Sequence, residues 1–272
     1  MTGPGNGQPI DLNTDRPHPA RVYDYLLGGK DNFAADRIAA EQGIKANPNS
    51  RIPPRENRAF LRRVVRTLAE EYGIRQFLDI GTGIPTAPNV HQVAQEVAPD
   101  ARVVYVDNDP MVLAHARALL TGTPEGRVAY LDADLRDVDS ILGAAGRQST
   151  LDLKQPVGLL LIAILHFVGD YDRPNEIVAQ LLDALPSGSY LALSHLTGDF
   201  DPGAWAGVAA IYKRSGVTMQ VRSRPEIERF FAGLEMVEPG LQVLPHWRPE
   251  ATTGPVPSDA QVSVYGGLAR KP

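Results

Sequence analysis

Cysteine is absent from the 272 residues. The chain therefore has no disulfide framework, no thiol nucleophile and no cysteine-based zinc site. Lysine is scarce, 5 residues against 22 arginines; with abundant Ala, Gly and Pro this is the stamp of a GC-rich bacterial genome and carries no mechanism. No uninterrupted apolar run approaches the ~20 residues of a membrane-spanning helix. Residues Met1 to Gln8 are rich in Gly and Pro and lack an apolar stretch, so a loose tail is expected there instead of a signal peptide, and a cytoplasmic location with it. A net charge of −5 with no polybasic run argues against nucleic-acid and membrane partners. No His-Glu-x-x-His, Gly-x-Ser-x-Gly or P-loop motif occurs, so no metal is expected.

The hydrophobic pattern divides the chain in two. Residues 1–73 read as a tail and a helical N-terminal cap. Helices are expected at 20–27, stopped by Gly28-Gly29, at 32–45, and from Pro54 to Tyr72 with Phe60, Leu61, Val64, Val65 and Leu68 on one face. From 74 to 272 strands and helices alternate, which predicts an α/β fold with a doubly wound, seven-stranded, mostly parallel sheet. Strands fall at 75–80, 102–106, 127–131, 157–163 and 190–194. Two more, about 235–244 and 261–269, follow each other without a helix and are expected as an antiparallel pair at the sheet's edge. Asp109-Pro110 supplies an N-cap and first helical residue for the helix after the second strand.

The first strand, Phe77-Leu78-Asp79-Ile80, runs into Gly81-Thr82-Gly83, and the second, Val103 to Val106, ends on Asp107. A strand, a glycine turn, a helix and a second strand with an acid at its tip form a nucleoside-binding half of a doubly wound sheet. The glycines let main chain approach the ligand, and Asp107 suits two ribose hydroxyls in a charge-assisted pair. Thr86 stands where a dinucleotide fingerprint has its third glycine, so no diphosphate grip is present. The pattern points to a nucleoside without pyrophosphate, S-adenosylmethionine (SAM).

With that strand plan, Asp79-x-Gly81-x-Gly83 and Asp107, the chain resembles the class I SAM-dependent methyltransferases, which have a Rossmann-like fold. Arg21 to Gly29, Gln76 to Pro85, Tyr105 to Pro110 and His166-Phe167 are similar to an actinobacterial S-adenosyl methyltransferase family formerly described as a domain of unknown function. The likeness runs from about residue 10 to 270. It implies transfer of a methyl group from SAM to O, N or C of a small-molecule acceptor, with S-adenosylhomocysteine as product.

The resemblance extends the cofactor set. Asp79 is assigned to the methionyl amino group, with Gly81 and Gly83 beside it. Asp107 goes to the ribose with Asn108 adjacent, and Asp134 with Leu135 to the adenine; Asp132 is the register alternative. Arg21 is a candidate for the cofactor carboxylate, and Tyr23 or Tyr25 for stacking near the sulfonium, with residues 18–46 as a lid. His166 and His195, just beyond the fourth and fifth strands, are the candidate catalytic residues, each with a competing reading as a wall histidine bonded to backbone. Asn57 and Arg58 read as helix surface, and His18, His91, His115 and His246 as surface or loop. The Asn/Asp-Pro-Pro-Tyr/Phe of adenine and glutamine N-methylases is missing after the fourth strand. Two alternatives stay open: a non-catalytic SAM-binding regulator and a nicotinamide-dependent oxidoreductase.

Overall fold

The computed structural model describes residues 12–119, 121–147, 150–251 and 254–272; the tail expected at 1–8 lies outside them. Three helices come first: α1 (Pro19–Leu27), α2 (Ala34–Ala46) and α3 (Ile52–Glu70). Their ends follow local chemistry. The His18 ring accepts the Ala20 N–H, and Gly28 closes α1 in the left-handed region. Asp36, fully buried in the first turn of α2, accepts the backbone N–H groups of His18 and Phe33, each at 2.8 Å. The α3 stripe Phe60, Leu61, Val64, Val65 and Leu68 is buried. Each such side chain contributes ~1.5–3 kcal/mol of transfer free energy, so α3 is core scaffold.

Strands and helices then alternate as β1 (Gln76–Ile80), α4 (Val90–Val97), β2 (Arg102–Asp107), α5 (Pro110–Leu119), β3 (Arg127–Asp132), α6 (Val138–Arg147), β4 (Gly158–Ile162), α7 (Pro174–Asp183) and β5 (Tyr190–Leu196). The chain continues through α8 (Pro202–Arg214), α9 (Arg224–Glu228), β6 (Glu235–Met236), β7 (Gln242–Val243), α10 (Asp259–Val262) and β8 (Val264–Arg270). The sheet order is β3-β2-β1-β4-β5-β8-β6, with β7 also paired to β8. Strands β1 to β5 are parallel, and β8 runs antiparallel to β5, β6 and β7. Every residue of β1, β4 and β5 is buried, as strands covered on both faces must be.

The α/β class, parallel core and antiparallel edge are as expected, but the sheet has eight strands, not seven. The stretch read as one strand over 235–244 is split by Pro239, which has no N–H to give, and by Gly240 at φ 79°. Two short strands result, and both pair with β8. The fourth strand also stops one residue early, because Ala163 adopts φ 56°. This topology positions the site. The chain winds outward from β1 through β2 and β3, then returns to lay β4 and β5 on the other side. The crevice at such a reversal opens beyond the strands' carboxyl ends. No helix among the described residues is long and apolar enough to cross a membrane.

Candidate active site

A cleft of about 380 Å³ opens beyond the tips of β1, β2 and β4. Its floor is the glycine turn, with Gly81 at φ 75° and Gly83 at φ 68°. A Cβ on Gly81 would stand 2.6 Å from the Ile164 side chain, so position 81 is closed to larger residues by both conformation and contact. Asp107 is locked in place: Gly83 N–H donates to one carboxylate oxygen at 2.8 Å and Asp109 N–H to the other at 3.0 Å. Each oxygen keeps a second lone pair. Asp79 is held more lightly, by the Thr82 hydroxyl at 3.0 Å. Burial pushes its carboxyl up to about 6, against the hydrogen bond from Thr82 and the nearby Arg58 guanidinium, which pull it down. A buried carboxylate with spare lone pairs facing a cleft calls for a cationic donor.

Asp134 and Leu135 stand in the cleft wall, whereas Asp132 is exposed and outside it. The Asp134 carboxylate takes two bonds from the Arg136 guanidinium, at 3.0 and 2.9 Å, and one from the Asn108 amide at 2.9 Å. The donor set suits SAM: a carboxylate awaiting an ammonium, a preset strand-tip acid, and a turn that offers main chain without side chains. When bound, SAM supplies an electrophilic methyl group on sulfonium sulfur.

The helical cap departs from expectation. Arg21 is 2% exposed and spends its guanidinium on Asp109, at 2.8 and 2.9 Å, and on the carbonyls of Leu12 and Asn13. It does not line the cleft, so its assignment to the cofactor carboxylate is withdrawn; it fastens α1 to the tip of β2. Asp109 both caps α5, accepting Met111 N–H at 2.9 Å, and is the counterion of a buried arginine. Tyr25 points away, bonded to Glu41 at 2.6 Å under the Arg51 guanidinium. Tyr23 does face the cleft. Its hydroxyl donates to Pro54 O at 3.0 Å and accepts from Asn57 Nδ2 at 2.9 Å.

Asn57 and Arg58 are not helix surface. Asn57 is buried, accepts the Ser194 hydroxyl at 2.6 Å, and lines the cleft with Arg58. Ser194 in turn accepts the Ala163 N–H at 2.9 Å. A continuous chain Tyr23–Asn57–Ser194–Ala163 therefore pins α1, α3, β5 and the tip of β4 together, and holds Ala163 in a left-handed conformation that costs ~1–3 kcal/mol for a non-glycine residue. Arg58 donates to the carbonyls of Thr86 and Pro88, fixing the loop after the glycine turn.

Behind this chain lies a second chamber of about 70 Å³. It is built from α1, α2, α3 and α8 and from the turn after β4, and shares Pro19, Tyr23, Asn57, Ala163 and Phe167 with the cleft. His166 lines it, 4% exposed, and its Nδ1 has no partner among the described residues. Burial holds its ring well below the usual imidazole range, helped by His195 and Arg222. His195 lines neither space. Its Nδ1 donates to Leu196 O at 2.7 Å, and its Nε2 accepts from Arg222 at 2.9 Å. Burial pushes it down to about 3, and its catalytic assignment is withdrawn.

Arg222, which the sequence reading passed over, is 4% exposed and also binds the carbonyls of Leu165 and Val168 and the Asp170 carboxylate. It staples the His166 segment to β5. His91 is likewise buried, its Nδ1 2.8 Å from the Tyr105 hydroxyl. His18 sits in the cleft wall, 3.1 Å from Asp109.

Residues 6–272 match a family model described as S-adenosyl methyltransferase. The chain belongs to that family. This methyltransferase is similar to a DUF574 family protein from Streptomyces avermitilis, at 50% identity over 96% of this chain and 100% of that one, with a TM-score of 0.93. It is also similar to a protein from Thermobifida fusca put forward as a methyltransferase, at 42% identity over 98% and 99% of the two chains, TM-score 0.87. A SAM-dependent methyltransferase from Anabaena variabilis, 11% identical with a TM-score of 0.51 over 98% and 100% of the two chains, shares the fold alone. No match is found among the curated proteins. The enzyme is a SAM-dependent methyltransferase, and the nicotinamide alternative falls with that membership.

Proposed function

We propose that this methyltransferase acts in the cytoplasm on a small molecule, moving the methyl group of SAM to an O, N or C atom of an acceptor that enters the chamber behind Tyr23 and Asn57. The observation that carries this reading is the shared wall: five residues face both the cleft and the 70 Å³ chamber. An acceptor seated in the chamber meets the cofactor cleft across Tyr23, Asn57 and Ala163. The chamber is too small for a folded partner or a nucleic-acid strand.

The position of each residue in the cleft wall supports the following roles. Asp79 takes the methionyl ammonium, Asp107 with Asn108 the ribose, and Asp134 with Leu135 the adenine, while Gly81 and Gly83 give main-chain approach. The cap helices exclude water and complete the acceptor's enclosure. Alignment of two bound reactants in a dry site can equal an effective molarity of ~10⁵ M or more, so no dedicated base is required. The test is partition of label. With SAM carrying a ¹³C-methyl group, the enzyme should label the low-molecular-weight fraction of a bacterial extract. Label found solely in protein or nucleic acid would overturn the small-molecule reading.

A further inference from the structure

Gly43 lies inside the hydrogen-bonded ladder of α2, its carbonyl accepting the Asn47 N–H at 2.8 Å. Glycine is the poorest helix former after proline, and a left-handed backbone or a close neighbour is what usually requires it. Neither applies here. Gly43 keeps the right-handed backbone of its helix, and a Cβ on it would meet nothing within 4 Å beyond its own stretch of chain. Gly266 in β8 is the contrast, since a Cβ there would stand 2.5 Å from the Leu244 side chain. Gly43 is nonetheless buried. Empty space in front of a buried residue is cavity, and the cavity that Gly43 lines is the 70 Å³ chamber. The side chain it lacks is therefore part of the chamber's volume.

The walls limit what that volume can hold. No Asp, Glu, Lys or Arg is among the residues lining the chamber, so an ammonium or carboxylate there would lose its water and gain no counterion. His166 is no substitute, because burial keeps its ring neutral. The Tyr23, Asn57 and Ser50 side chains are already spent on the protein. Tyr23 donates to Pro54 O and accepts from Asn57, whose own oxygen accepts from Ser194, and the Ser50 hydroxyl donates to Asn47 O at 2.6 Å. Most of the remaining wall is apolar, with Val22, Leu26, Phe167, Val208 and Met219 in it. Such a surface gains by covering another apolar surface. The chamber exceeds the ~10–15 Å³ that one water needs, and it takes a few carbons at one end of a molecule. The rest of that molecule lies against Tyr23 and Ala163, at the wall shared with the cleft.

Resting on the small-molecule reading above, we propose that the acceptor presents an uncharged, apolar end to the chamber, and that Gly43 sets how large that end can be. Gly43 is a specificity-determining residue with no part in the chemistry: it lies outside the cofactor cleft.

The chain has four methionines, so the Met219 methyl signal of the full-length enzyme is assigned with Met219→Leu. With S-adenosylhomocysteine present, the enzyme is titrated with linear alcohols from ethanol to octan-1-ol. Each added methylene should tighten binding about fourfold until the chamber is full, after which affinity levels off, and the bound alcohols should move the Met219 methyl. The probe 5-aminopentan-1-ol, polar at both ends, should bind about tenfold or more weakly than pentan-1-ol, because one polar end must enter. Gly43→Ala should end the rise about one methylene earlier, and Gly43→Leu should flatten it. Both variants should fold at least as stably as wild type, since both add a better helix former, and both should keep wild-type affinity for S-adenosylhomocysteine.

Affinity that ignores chain length, equal binding of 5-aminopentan-1-ol, an unmoved Met219 methyl, or a Gly43→Leu ladder like that of wild type would overturn the proposal. These readouts stand apart from the readings underneath. Failure of S-adenosylhomocysteine to shift the Gly81 to Gly83 amides strikes the cofactor assignment, and methyl label confined to macromolecules strikes the small-molecule reading. Label found solely in small molecules without an apolar end overturns the present proposal and leaves both of those standing.

Discussion

The cleft and the chamber behind it are built on opposite principles. The cleft is charged: Asp79, Asp107 and Asp134 sit within one turn of strand tips, with Arg58 and Arg136 beside them. The chamber has no formal charge on its walls and is lined mostly by apolar side chains. One side is fitted to a ligand of fixed, partly ionic chemistry. The other offers shape and an uncharged, largely apolar surface. A methyltransferase needs a constant donor and a particular acceptor, and on the function proposed above the two halves of this crevice divide that labour. The difference also separates residues that hold the fold from residues that face a ligand, and single substitutions should tell them apart.

The largest effect is expected at the joint between the two regions. Asp109→Ala removes the counterion of the buried Arg21 as well as a helix cap, and should cost ~3–5 kcal/mol of stability, the scale for breaking a buried pair from one side, instead of the ~1 kcal/mol of a cap alone. Urea unfolding measures it. A loss near the lower figure would mean that Arg21 finds other partners and that the cap is less firmly docked than its contacts imply.

The two histidines give the next contrast. His195→Leu strips Arg222 of an acceptor inside the core and should destabilise by ~1–3 kcal/mol. His166→Leu deletes an atom already without a partner, so stability should change by less than ~1 kcal/mol. S-adenosylhomocysteine affinity, measured by calorimetry, should be near wild type in both. The opposite ranking in unfolding experiments would reverse the assignment of staple and chamber wall.

On the charged side, Asp107→Ala should weaken S-adenosylhomocysteine binding by ~1–3 kcal/mol; unchanged affinity in folded protein would remove Asp107 from the ribose. The smallest effect is the proton balance at Asp79. Burial is the main cause of its rise to about 6, so near pH 6 the free enzyme holds part of a proton there. An arriving ammonium favours the carboxylate form, so binding should release protons and affinity should fall as pH drops through about 6. For folding the sign is that of a raised acid. Its favourable contribution is complete below the unfolded carboxyl's ~3.9 and fades as pH rises through the folded value. Calorimetry in buffers of different ionisation enthalpy detects the release, and Asp79→Asn should abolish it.

What was legible in the sequence follows the same division. Asp79, Gly81, Gly83 and Asp107 lie in two short stretches whose strand–turn chemistry is local, and the structure brings them all to one cleft. The acceptor side draws on scattered helices. Asn57 owes its place to Ser194, 137 residues away, and Arg222 reaches back 57 residues to the Leu165 carbonyl; nothing in their own neighbourhoods marks either. His166 and His195 both follow expected strands, and what separates them, the bonds of His195 to the Leu196 carbonyl and to Arg222, is made by tertiary packing. Arg21 is ambiguous for a related reason: a conspicuous arginine before a glycine pair fits a ligand as well as an ion pair, and only the fold puts Asp109 at its tip. Local signals survive in a linear chain, whereas pairings made by tertiary packing do not.

The spacing of Asp107 and Asp109 has a thermodynamic corollary. One acid faces the cleft and the other grips α1 through Arg21, with the Asp109 N–H bonded to Asp107 and a single residue between them. Occupancy of the cleft and seating of the helix that walls the chamber are thus felt by the same three residues of main chain. Any free energy shared by the two events is reciprocal: if the donor steadies α1, a seated acceptor must hold the donor more tightly by the same factor. A ternary complex would then outlast either binary one, and the departing molecules would leave through a wall that each had helped to set.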